Sequence, residues 1–136
     1  MKRRIHCILL MMVVASTICC TSCDDNTDRN IYTQVTMVAE LPDGRSIVRM
    51  EADESLDGTY LRNINNRMEY EFPLFINNCG NVKLQKGVYL IAFDADATFA
   101  DGTTARVRCS GYSAAETAAE LLDDNETIVL RLTQIN

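Results

Sequence analysis

Few side chains in this sequence have the types and spacing that chemistry needs. Glu69 and Glu71 alternate across Tyr70, which places two carboxylates on one strand face, as acid–base cleavage of a glycosidic bond would require. Asp94, Asp96 and Asp101 offer oxygen donors of the kind calcium takes. The position sixth from Asp94, where a calcium loop needs glycine, is Phe99, and no glutamate stands at the twelfth. The only histidine is His6, near the N-terminus. Beyond it there is no imidazole to activate a serine or cysteine nucleophile or to hold zinc. No glycine-rich phosphate loop occurs. A non-catalytic chain without metal or cofactor is therefore expected. Glu69 and Glu71 are expected to face solvent opposite Arg106 and Arg108, as cross-strand pairs that contribute about 0.2–1 kcal/mol each.

The six cysteines divide into two groups. Cys7, Cys19, Cys20 and Cys23 crowd the N-terminal region, and Cys79 and Cys109 stand alone further on. An exported chain permits a Cys79–Cys109 disulfide. Against that pairing, Cys109 shares an inward strand face with Val107 while Cys79 falls in the turn cluster Asn77-Asn78-Cys79-Gly80-Asn81. Separate thiols are favoured, since a buried thiol behaves as a small hydrophobe. Tyr32, Tyr60, Tyr70, Tyr89 and Tyr112 make a carbohydrate partner conceivable through ring stacking. Tyr70 and Tyr89 fall on predicted core faces, however, and there is no tryptophan.

The elements that must position these residues begin after an address. Lys2, Arg3 and Arg4 precede an apolar run from Cys7 to Ile18, interrupted only by Ser16 and Thr17. That run is shorter than the roughly 20 residues a membrane crossing needs, and its order of basic, apolar and small residues is that of a secretory signal. It ends in Cys19-Cys20-Thr21-Ser22-Cys23-Asp24-Asp25, which resembles the lipobox of bacterial lipoproteins. There, small residues precede a cysteine that is diacylated and becomes the mature N-terminus. Cys23 fits that role best, with Thr21 and Ser22 before it; Cys20 stands where the motif usually has leucine. The resemblance implies a signal peptide over residues 1–22, an acidic lipid-anchored tether over 23–30 and a folded domain over 31–136. Two acyl chains anchor a protein stably without a transmembrane helix. The membrane is thus an expected partner through the lipid.

Removing the signal takes away three of the 13 basic residues and none of the 19 acidic ones, which leaves a formal charge of −9. Such a charge excludes a nucleic-acid partner, which requires a basic stripe. Asp24 and Asp25 resemble the acidic residues that accompany surface display in lipoproteins of gut Bacteroidales. In other Gram-negative lineages an aspartate directly after the lipidated cysteine resembles an inner-membrane retention signal.

From Ile31 onward the hydrophobicity alternates with period two. Ile31, Thr33, Val35, Met37 and Ala39 share one face, and Val48, Met50 and Ala52 follow after Pro42-Asp43-Gly44. Met68, Tyr70, Phe72, Leu74 and Ile76 form another stripe, with Pro73 marking an edge or bulge. Val88 to Ala95 is apolar on both faces, as in a central strand, with Asp94 and Asp96 at its end before a hairpin. Ala105, Val107 and Cys109 oppose Arg106 and Arg108, and Ile128, Leu130 and Leu132 close the chain. Asp43-Gly44, Asp57-Gly58 and Asp101-Gly102 suit tight hairpins. Ser113-Ala114-Ala115-Glu116 is a capping-box sequence, and Ala115, Ala118, Ala119 and Leu122 make a helical stripe. The expectation is an all-β, seven-stranded Greek-key β-sandwich with one short helix near the C-terminus.

Leu84-Gln85-Lys86-Gly87-Val88-Tyr89-Leu90-Ile91 resembles the opening of the central strand in transthyretin-like (prealbumin-like) sandwich domains. Such domains are similar to building blocks of Bacteroidales fimbrial subunits and their anchor lipoproteins. The two resemblances together imply a lipid-anchored, non-catalytic binding or assembly module at the outer membrane, on the cell surface, with a protein partner. The alternative is a periplasmic inhibitor or small-ligand-binding lipoprotein acting on soluble partners.

Overall fold

The computed structural model describes residues 31–110 and 118–136. The described chain is all-β, with ten strands: β1 (Tyr32–Glu40), β2 (Ile47–Ala52), β3 (Tyr60–Asn63), β4 (Glu69–Tyr70), β5 (Phe75–Ile76), β6 (Cys79–Gln85), β7 (Gly87–Phe99), β8 (Thr104–Ser110), β9 (Ala119–Leu121) and β10 (Asn125–Ile135). Seven of them pair in a ring, in the order β2-β5-β6-β1-β10-β8-β7, and β7 returns to β2. The result is a closed barrel and not the expected sandwich. The seal is made by the thirteen-residue β7, which is long enough to hold different partners along each edge. Its Ala92–Thr98 stretch pairs with β8 while Ala95–Phe99 pairs with β2. Beyond the ring, β3 continues along the β2 edge at Tyr89–Ala92, and β9 lies opposite Gly87–Tyr89. Closure removes the exposed strand edges that a sandwich leaves.

Alternation builds the core. Val35, Met37 and Ala39 from β1, Tyr89 through Phe99 at odd positions of β7, Val107 and Cys109 of β8, and Ile128, Leu130 and Leu132 of β10 all point inward. The even positions of β7 are half-buried apart from the exposed Asp96, so this strand is covered on both faces for most of its length. β1 and β10 pair in parallel, Val38 opposite Val129, which brings the first and last strands of the described chain side by side.

Several expectations shift in register. In β2 a bulge between Ile47 and Arg49 turns Val48 and Arg49 both outward, so Ile47 and Met50 fill the core and Val48 is 43% exposed. The Met68–Ile76 stripe is not one strand. Pro73 lacks the N–H a ladder needs, and the segment splits into β4, on β3, and β5, between β2 and β6. Its phase inverts there: Phe75 is buried while Met68, Leu74 and Ile76 are exposed. Cys79 opens β6 and is not a turn residue. The turn is Asn77-Asn78, both at positive φ (49° and 67°), a two-residue loop of the kind that suits tight hairpins.

Of the three Asp-Gly pairs, only Asp101-Gly102 closes a hairpin, between β7 and β8, with Gly102 at φ 83°. The other two join strands that do not pair with each other. Likewise β7 does not end at Asp94 and Asp96; it runs on to Phe99. The expected C-terminal helix is also corrected over its described half. Ala119–Leu121 is a strand, with Ala119 and Leu121 buried and Glu120 exposed. Three residues paired with Gly87–Tyr89 satisfy backbone groups on β7, which an isolated single helical turn could not do. Ser113–Glu116 and Tyr112 lie outside the described residues.

Candidate functional site

The densest array of chemistry-bearing side chains lies on the outer wall where β7, β8 and the β2–β3 connection meet. Cross-strand register sets it up, because Asp94 is directly opposite Arg108 and Asp96 opposite Arg106. Arg108 clasps Asp94 with two prongs, Nε to Oδ1 at 2.7 Å and Nη2 to Oδ2 at 2.8 Å. Arg106 reaches Asp96 at 3.1 Å and, in the other direction, Asp53 at 2.6 Å. Asp53 also accepts from the Ser55 hydroxyl at 2.5 Å, and its backbone N–H donates to the Asp94 carbonyl. Thr59 Oγ1 donates to the Asp53 carbonyl at 2.8 Å, so the connection is tied at both ends.

These contacts explain the electrostatics. The Ser55 hydroxyl and then the Arg106 guanidinium hold the Asp53 carboxyl below its usual range, and Arg108 does the same for Asp94. Both guanidiniums are pushed above their ordinary value by the carboxylates they serve. Beside the array is a hollow of about 410 Å³, lined by Leu56, Gly58, Thr59, Ala92, Arg108 and Ser110 among others. Arg106 and Arg108 already serve Asp53, Asp94 and Asp96, and with Asp53 and Asp94 held low and both guanidiniums held high, these four groups are not poised to shuttle protons near neutrality. Chemically the array is a clasp that fastens a loop and shapes a hollow.

The other expected residues are dispersed. Glu69 pairs with Arg62 of β3, Nε to Oε1 at 2.7 Å, and not with Arg106 or Arg108, because β4 is joined to β3 and β8 lies on the far side of β7. Glu71 lines a separate hollow with Glu51 and Glu54. Asp101 caps the β7–β8 hairpin by accepting from Thr103.

Cys79 is exposed on β6, whereas Cys109 is buried on β8, with β1 and β10 between them in the ring. No disulfide joins them. The described tyrosines form no common platform: Tyr32 of β1 lies under Lys83, Tyr60 lies beside Arg62 on β3, and Tyr89 is buried with Tyr70 packed against it. Cys23, Asp24 and Asp25 lie outside the described residues.

Asp53 and Asn63 escaped the sequence pattern. Asp53 carries only the local signature of a turn, an aspartate two residues before Ser55. Asn63 is buried at the end of β3, donating to the Tyr89 hydroxyl at 3.1 Å and accepting from Asn65 N–H at 2.9 Å. No protein-family model, curated protein or solved structure matches the chain. The fold and site thus define a class, a small closed β-barrel with a clasped outer wall, and the function has to be argued from the residues themselves.

Proposed function

We propose that the chain is a lipid-anchored, non-catalytic binding or assembly module displayed on the outer membrane, an accessory part of a fimbrial or uptake complex. The observation that carries this reading is Thr21-Ser22-Cys23-Asp24-Asp25 placed directly after a short apolar run with a basic start. The barrel is consistent with it. Its interior is occupied by Met37, Met50, Phe93, Phe99 and Leu130, so recognition falls to the outer wall and its loops. A filled interior also favours a protein partner over a small ligand held inside the barrel. The eight residues from Cys23 to Asn30 reach at most about 28 Å when extended, which keeps the domain close to its own leaflet.

The test is acyl-chain labelling and protease treatment of intact cells. The native chain should incorporate labelled palmitate and lose its domain to added protease. Cys23→Ala should abolish the label, and replacing Asp24 and Asp25 with alanine should protect the domain. Normal labelling of the Cys23 variant would overturn the anchor. Full protection of the native chain, with a periplasmic marker also intact, would turn the proposal toward soluble periplasmic partners.

A further inference from the structure

A second concavity adjoins the clasp, between the end of β2 and the irregular link from β4 to β5. One hollow of about 440 Å³ is lined by Glu51, Ala52, Glu54, Glu71, Phe72 and Leu74. A second, of about 220 Å³, adds Tyr60, Glu69 and Tyr70 and shares Glu54, Glu71 and Phe72 with the first. The two therefore run together as one trough. Its lips are tied where Glu54 Oε1 accepts from the Phe72 N–H at 2.9 Å. Phe72, whose ring packs on Phe93 at 4.7 Å between centroids, and Leu74, 42% exposed, supply one apolar strip among the carboxylates of its lining.

The charge on this trough is one-sided. Four glutamates border it, and the cations serving them stand at its two ends. Arg49 contacts the exposed Glu51 at 3.4 Å, and Arg62 holds Glu69. Glu54 and Glu71, in the middle, have no cationic partner among the described residues. An apolar strip between unneutralised carboxylates matches a side chain with an aliphatic stem and a cationic head.

We propose that this trough docks a lysine- or arginine-bearing peptide segment of a partner protein, with the stems on Phe72 and Leu74 and the cations on Glu54 and Glu71. The proposal rests on the reading of the chain as a binding module and gives that module's partner a chemistry.

The experiment uses the full chain in mild detergent and a fluorescein-labelled decapeptide of alternating lysine and alanine, followed by anisotropy at low salt. The double variant Glu54→Gln/Glu71→Gln keeps the oxygen that receives the Phe72 N–H. It should weaken binding by about tenfold or more. Glu40→Gln/Glu120→Gln removes the same charge from β1 and β9, outside the trough, and should change it by less than about twofold, since distant exposed charges are screened. Equal weakening by both pairs would reduce the effect to net charge and overturn the proposal. So would no saturable binding, or calorimetry showing that calcium chloride, and not the peptide, occupies the trough. A chain that is acylated and displayed but does not bind the peptide loses the trough and keeps the module; one that binds but is never acylated does the reverse.

Discussion

Arg106 and Asp53 lie 53 positions apart in sequence and are joined, Nη2 to Oδ2, at 2.6 Å. This one contact fixes the β2–β3 connection onto the outer face of β8. The connection then forms one wall of the hollow beside Arg108 and leads into the acidic trough at Glu54.

Acid should undo the clasp in a defined window. The carboxyls of Asp53 and Asp94 both sit below the ordinary value of 3.8 in the folded chain. A depressed folded value means that their stabilisation is complete above the unfolded value and is lost as pH falls through the folded one. Asp94→Asn should therefore lower the urea midpoint at neutral pH, and the gap from the native chain should narrow as pH falls below 3.8 and through the depressed folded value. A gap that stays unchanged as the pH is lowered would show that the ion pair with Arg108 is not its source.

Tyr89 gives the opposite limb. Burial pushes its phenol well above the usual tyrosine range. In the unfolded chain it ionises near pH 10 while the folded chain keeps the proton, so its contribution to stability falls as pH rises past that value. Tyr89→Phe should leave the phenolate absorbance gained up to about pH 11 unchanged. It should also cost about 1–3 kcal/mol at neutral pH, since the buried hydroxyl that accepts from Asn63 and donates to the Gln85 carbonyl is lost. A drop of one tyrosine in the titrated absorbance would contradict this burial.

Gly80 is required by contact alone. A Cβ there would lie 2.8 Å from Pro73 Cγ and 3.2 Å from Phe75 Cδ1. Gly80→Ala should therefore destabilise the barrel by about 1–3 kcal/mol, the usual cost of overpacking. Gly58→Ala, in open space, is the control and should change the melting temperature little.

Leu130 and Val48 separate the two sides of the wall. Leu130 is wholly buried, and Leu130→Ala should cost about 2–5 kcal/mol in chemical denaturation. Val48→Ala, at an outward bulge position, should stay within about 0.5 kcal/mol. A large loss at Val48 would mean that β2 is in the other register.

The strand faces of β1, β8 and β10 were legible in the residues. Val35, Met37 and Ala39, Val107 and Cys109, and Ile128, Leu130 and Leu132 alternate with neighbours that are mostly polar, and a period of two has only one reading when one face is buried. The absence of histidine past His6 and the acidic balance were equally local facts, as was the lipobox-like run ending at Cys23. What composition and period cannot carry is which strand lies beside which. Closure of the ring by β2 on β7, and so a barrel in place of a sandwich, depends on pairings between residues far apart in the chain.

The same holds wherever a local pattern was overruled. Pro73 removes one donor and splits a stripe into two strands of opposite phase, and the bulge at Val48 moves a valine from core to surface. The alanine stripe from Ala115 looked helical, but the free edge of β7 recruits Ala119–Leu121 as strand. The partners of Arg106 and Arg108 followed from register as well: Asp96 and Asp94 are directly opposite them on β7, while Glu69 is held on the other side of that strand. Sequence by itself determined the residue types and the alternation. Tertiary structure decided the neighbours, because a cross-strand contact costs chain entropy between its ends and becomes favourable only when the whole ring closes.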